Sequence, residues 1–111
     1  MKDRRQFQRS PQPFHVQYRV MDELVSPWEI GRSMDISATG LRLQTGSPLS
    51  PGERLEMDIS LPSAQVPLHI TGVVAWSRVP PNGPPECGIA FRNVTHPQQL
   101  QIDELVQFLE P

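Results

Sequence analysis

Arg5, Arg9, Asp35, Ser37 and Gly40 are the residues of this 111-residue chain whose types and spacing could do chemistry. Two arginines stand four apart in Arg5-Gln6-Phe7-Gln8-Arg9, and thirty residues after Arg5 comes Asp35-Ile36-Ser37-Ala38-Thr39-Gly40. A guanidinium forks onto phosphate oxygens or onto the N7 and O6 acceptors of guanine, and it stacks on flat rings. An ionised carboxylate such as Asp35 only accepts hydrogen bonds, which suits the N–H donors on guanine's other edge. A ligand with both guanine and phosphate would use all of these groups together. The chain carries its own control in Asp58-Ile59-Ser60, which repeats the tripeptide but has Ser63 where the glycine would fall. The tripeptide alone is a common turn composition; its combination with Gly40 and the arginines carries the information.

These residues need elements to position them, and the alternation supplies candidates. From Trp28 to Ile36 apolar and polar residues alternate, and side chains two apart on a strand share a face. The pattern places Trp28, Ile30, Met34 and Ile36 on one face. Glu29, Gly31, Ser33, Asp35 and Ser37 take the other, so Asp35 and Ser37 are expected side by side on the outer surface. Gly40 is expected to supply a positive φ in the connection to the next strand. Further strands are expected over 14–21, 40–45, 54–61, 68–78 and 86–94. Their inward residues would include Val16, Tyr18 and Val20; Leu55, Met57, Ile59 and Leu61; and Leu68, Ile70, Val74 and Trp76. Asn82-Gly83 marks the turn between the last two. The period then changes. Thr95-His96-Pro97-Gln98 fits a capping box with proline in the first turn, and Ile102, Leu105, Val106 and Leu109 form a helical stripe. The expected fold is mainly β: about six antiparallel strands closed into a barrel, with one C-terminal helix over an opening. Residues 1–13 read as a flexible arginine-rich arm and 14–111 as the barrel with its helix.

Composition agrees with one small domain. The thirteen prolines fall between or at the ends of the alternating runs, where a β chain tolerates them. Net charge is −2, but residues 1–19 carry five basic side chains against Asp3 alone. A basic strip on an acidic body suits a small anion better than a general nucleic-acid interface, which spreads its basic charge over a face. Cys87 is the one cysteine, excluding an intrachain disulfide, and it alternates with Ile89 and Phe91 as a core residue would. His15, His69 and His96 lie in separate elements without metal-ligand spacing, and no nucleophile elbow or phosphate loop is present. An enzyme is not expected. No apolar run approaches a membrane span and no signal-peptide core is visible, so a soluble cytoplasmic chain is expected.

The two motifs together resemble the paired R-x-x-x-R and D/N-x-S-x-x-G motifs of the PilZ domain family, bacterial receptors for cyclic di-GMP. Gly72-Val73-Val74-Ala75-Trp76, Gly88-Ile89-Ala90-Phe91 and the terminal helix resemble the family's later strands and helix. The resemblance implies a PilZ-like barrel that binds cyclic di-GMP through Arg5, Arg9, Asp35, Ser37 and Gly40, with no cofactor or metal. It places Trp76 beside the ligand, with core packing as the other reading of that residue. Arg4 directly precedes the motif, and the resemblance implies that this position influences stoichiometry. Two nucleotides per chain, as an intercalated pair, are expected with an arginine there. A lone receptor domain must act through an unidentified protein partner, the arm changing conformation on binding. Two other readings are a PilZ-like adaptor that binds no nucleotide, and a small barrel for single-stranded nucleic acid. The arginine motif disfavours the first; the net negative charge and the seven aromatics disfavour the second.

Overall fold

The computed structural model describes residues 8–21, 26–60 and 66–109. Six antiparallel strands are found among them: β1 (Gln8–Val20), β2 (Glu29–Ile36), β3 (Gly40–Gln44), β4 (Arg54–Ile59), β5 (Leu68–Arg78) and β6 (Glu86–Arg92). They close into a barrel in the order β1-β2-β3-β6-β5-β4. Closure leaves no open sheet edge, and each strand buries one face. The interior is filled by Val16, Tyr18, Ile36, Leu41, Leu43, Leu55, Met57, Ile59, Leu68, Ile70, Val74, Cys87, Ile89 and Phe91. The one helix among the described residues, α1 (His96–Leu109), lays Ile102 and Leu105 onto this core. Its start is the expected capping box. The Thr95 amide donates to Gln98 Oε1 at 2.9 Å, and the Gln98 amide donates to Thr95 Oγ1 at 3.3 Å.

Three expectations are corrected. The first strand starts at Gln8, six residues before the expected Phe14, so the segment 8–13 belongs to the barrel wall. Gln8 pairs with Ile36 and Arg9 with Asp35, and the register then shifts before Phe14 pairs with Ser33. Pro11 and Pro13 lie inside that irregular stretch, where neither is required to donate a ladder hydrogen bond. The rest of the expected arm, including Arg4 and Arg5, lies outside the described residues, as does Leu61.

The second correction is the facing of β2. Gly31 and Ser33 point inward, whereas Ile30 is 65% and Trp28 41% exposed. A register shift between Ser33 and Asp35 then resets the phase, and Ile36 is fully buried. Outside, the Trp28 ring is covered by the Arg19 guanidinium, 4.7 Å from its centre.

The third is Trp76. Alternation through Leu68, Ile70, Gly72 and Val74 would carry it inward, yet it is 42% exposed. Here too the register shifts, between Val74 and Trp76, and the shift turns the indole to the outside.

Candidate functional site

Ser33 is the residue from which the site is built. It is fully buried, and its hydroxyl donates to the Arg42 carbonyl at 2.7 Å and lies 3.0 Å from the Asp35 carbonyl. A hydroxyl has one proton to give, so these two carbonyls share it. This contact spans the irregularity between β2 and β3 and holds the two strands where the register slips. Asp35 then faces outward with its side chain only part-exposed. Its Oδ2 is paired with Arg42 Nη2 at 2.7 Å. The pair follows from the hairpin register, in which Ile36 opposes Leu41 and Asp35 opposes Arg42. Arg42 was not among the residues expected at the site. Folding the strands about the turn would have found it, because it is the polar residue of Leu41-Arg42-Leu43.

Ser37 is not on the outer surface as expected. It is 3% exposed, and it shapes the turn itself. Its amide donates to the Gly40 carbonyl at 2.8 Å, and its Oγ accepts from the Thr39 amide at 3.2 Å. The Thr39 carbonyl accepts from the Phe91 amide at 2.8 Å, tying the turn to β6. Gly40 is required for a different reason from the expected one. Its φ is not positive; a Cβ there would run into the Ile89 carbonyl oxygen of the neighbouring strand. Glycine is needed because the backbones approach too closely for any side chain.

On the outside of β3, β6 and β5 these features enclose a cleft of about 430 Å³. Asp35 of β2 and Thr39, Gly40, Leu41 and Arg42 of the turn and β3 line it, with Gly88, Ile89 and Ala90 of the adjacent β6 and then Ala75 and Trp76 of β5. Its size lies within the range of small-molecule clefts, roughly 300–1,000 Å³. The Trp76 indole packs over Gly88, where any Cβ would strike the ring. At the β6 end, Glu86 Oε1 accepts from Arg78 Nε at 2.6 Å and lies 4.0 Å from Arg42 Nη1. The cleft thus offers a flat aromatic pad, a carboxylate and a guanidinium on a mostly apolar floor. That set can hold a planar polar ring. Of the expected site residues, the fold brings Asp35, Gly40 and Trp76 to one cleft and buries Ser37 in the turn next to it. It sets the Arg9 backbone opposite Asp35 in the register.

The decoy is elsewhere. Asp58 is on the outside of β4, where its Oδ1 lies 2.6 Å from His69 Nδ1. His69 Nε2 is 3.1 Å from Glu56 Oε2, and Arg19 Nε donates to Glu56 Oε1 at 2.7 Å. The Arg19 hydrogen bond is the main reason that the Glu56 carboxyl is held below its ordinary range; burial opposes it and the Arg19 and His69 charges add to it.

Comparison with known families matches residues 3–108 to the PilZ domain. No curated protein sequence matches significantly. Among solved structures, the PilZ domain of YcgR from Escherichia coli with c-di-GMP superimposes with a TM-score of 0.72 at 16% identity, covering 98% of this chain and 92% of that one. The PilZ domain of CeSA from a cellulose-synthesizing bacterium gives 0.66 at 20% identity, covering 93% and 98%. MrkH of K. pneumonia gives 0.74 at 19% identity, with 98% of this chain covering 49% of that one. The chain therefore spans about half the length of MrkH, while it matches the isolated PilZ domains almost end to end. With residues 3–108 of its 111 matched to the family model, this chain belongs to the PilZ domain family.

Proposed function

We propose that the chain is a receptor for cyclic di-GMP, a binding domain without catalysis, that acts in the cytoplasm through a protein partner. The observation that carries this reading is the outward Asp35 carboxylate, aimed by a bulge into a cleft whose other wall is the Trp76 ring. Guanine presents N–H donors to such a carboxylate and a face to such a ring, and base–aromatic stacking contributes about 1–3 kcal/mol. The structure of the E. coli YcgR PilZ domain with c-di-GMP supports the reading at the level of shared fold. The Arg9 backbone pairs with Asp35 in the β1–β2 register, and in this reading Arg4, Arg5 and Arg9 are the cations for phosphate and guanine. Binding draws the segment that carries Arg4 and Arg5 onto the cleft, and that change is what a partner reads.

The test is calorimetry of the chain with cyclic di-GMP and with a short oligonucleotide. Arg9→Ala and Asp35→Ala should each weaken cyclic di-GMP binding at least tenfold, since hydrogen bonds to charged groups contribute about 1.5–3 kcal/mol. Asp58→Ala, engaged with His69 on another face, should leave it unchanged. Arg9→Ala binding like the unmodified chain would refute the assignment. Binding of the oligonucleotide alone would favour the nucleic-acid reading, and binding of neither would favour an adaptor. With Arg4 as a third planar cation, two nucleotides should bind per chain and Arg4→Leu should lower this towards one. Saturation at one nucleotide in the unmodified chain would end the paired-ligand idea while leaving the receptor reading intact.

A further inference from the structure

Arg42 belongs to neither motif, yet it sits against Asp35, the carboxylate that lines the cleft among the described residues. We infer that Asp35 and Arg42 act as a single reading unit that selects guanine over adenine, an inference that rests on the cyclic-dinucleotide reading above.

The geometry supplies a donor beside an acceptor on one wall. Arg42 Nη2 is 2.7 Å from Asp35 Oδ2, and Nη1 is 4.0 Å from Glu86 Oε1. Only the first of these is within hydrogen-bond distance, and a guanidinium has five N–H donors, so most of its donors are not used by these carboxylates. Glu86 is itself held by Arg78 at 2.6 Å and its side chain is 8% exposed, so it is a fixed anchor for the Arg42 charge. Arg42 is restrained from both sides: its side chain is 28% exposed, and its strand is locked to β2 by the Ser33 hydroxyl.

Guanine presents O6, an acceptor, next to its N1–H and amino donors. A guanidinium donor beside a carboxylate acceptor matches that order. Adenine presents an amino donor at the O6 position and a lone pair where guanine has N1–H. Against this wall adenine would set donor to donor and acceptor to acceptor, leaving polar groups unpaired in a part-buried site. Unpaired groups of that kind are what make a hydrogen-bonding site reject a near-isostere. The competing account is that Arg42 only balances the charges of Asp35 and Glu86. Removing it would then weaken every cyclic dinucleotide by the same factor.

The experiment measures affinities of cyclic di-GMP and cyclic di-AMP for the full chain, Arg42→Leu and Arg42→Lys. Expected is a preference for cyclic di-GMP in the unmodified chain that shrinks by about tenfold in Arg42→Leu, within the discrimination one well-placed arginine provides at a base edge. Arg42→Lys, which keeps the charge but not the fork, should shrink the preference while weakening overall binding less. If either variant lowers both affinities equally and leaves their ratio unchanged, the inference is overturned and Arg42 merely balances charge. An unmodified chain that binds both dinucleotides alike also overturns it, leaving dinucleotide binding in place. A chain that binds neither removes the receptor reading as well. Should Arg42→Leu fail to fold, the lysine variant decides by the same ratio.

Discussion

Gly88 has no side chain, and the Trp76 indole fills the space where one would be. That single vacancy sets the height of the aromatic pad over the floor of the cleft. Gly40 has a similar role at the other wall, where the Ile89 carbonyl leaves no room for a Cβ. The two positions differ in what can yield. At Gly40 the obstacle is backbone, whereas at Gly88 it is a ring that is 42% exposed and can lift outward. Gly88→Ala should therefore fold, with the indole displaced and its fluorescence changed. Losing the stacked position should weaken cyclic di-GMP binding about tenfold, within the range for one base on one ring. A variant with altered fluorescence and unaltered affinity would remove Trp76 from the site.

At the scale of elements, two irregularities turn a closed barrel into one with a site. Without the shift between Ser33 and Asp35, strict alternation would carry Asp35 inward after Gly31 and Ser33. Without the shift between Val74 and Trp76, the indole would compete for core space. Bulges near barrel sites commonly re-aim a side chain in this way. The helix is the other decisive element. It packs on β1 and β5 through Ile102 and Leu105, and Gln99 Nε2 reaches the Ala38 carbonyl of the turn at 3.5 Å. Ile102 is fully buried, so Ile102→Ala should cost about 2–5 kcal/mol, the usual range for emptying such a position. Urea denaturation would show this as a lower midpoint. A loss below about 1 kcal/mol would mean that the helix rests on the barrel rather than completing its core.

Over the whole molecule, charge is divided between faces. The cleft face pairs Arg42 and Arg78 with Asp35 and Glu86, while β1, β4 and β5 carry Arg19, Glu56, Asp58 and His69. On the second face Glu56 titrates below its ordinary value of 4.5, chiefly through the Arg19 hydrogen bond. A carboxyl with a depressed folded-state pKa stabilises the fold above its unfolded value, and that contribution disappears as pH falls through the folded value. The stability gap between the unmodified chain and Glu56→Gln should therefore be present at pH 7 and close below about pH 4. Urea midpoints across that range would test it; a gap that stays constant into acid would assign the effect to packing. Cys87 contributes nothing to either face. Burial pushes its thiol up to about 11, as befits a core side chain between strands.

Strand number, the inward sets of β1, β4 and most of β5, and the capped helix were all legible in the sequence. Each rests on local periodicity or on contacts between residues three or four apart, which the order of residues specifies directly. The motif positions were legible as a carboxylate beside a turn closed by glycine. Gly40, however, was expected to supply a positive φ, and the close approach of the Ile89 carbonyl that excludes a side chain there was not legible. What the sequence did not contain was the direction in which the motif residues point. A period of two gives each strand two equivalent faces, and a bulge exchanges them without leaving a mark in composition. Trp28 and Ile30 read as core for that reason, and so did Trp76. The early start of β1 was hidden by Pro11 and Pro13, residues that usually end strands. Arg42 became visible only when β3 was laid against β2, because the partner of Asp35 is set by register across a turn. Barrel closure decided all of these, since only it fixes which face must be dry.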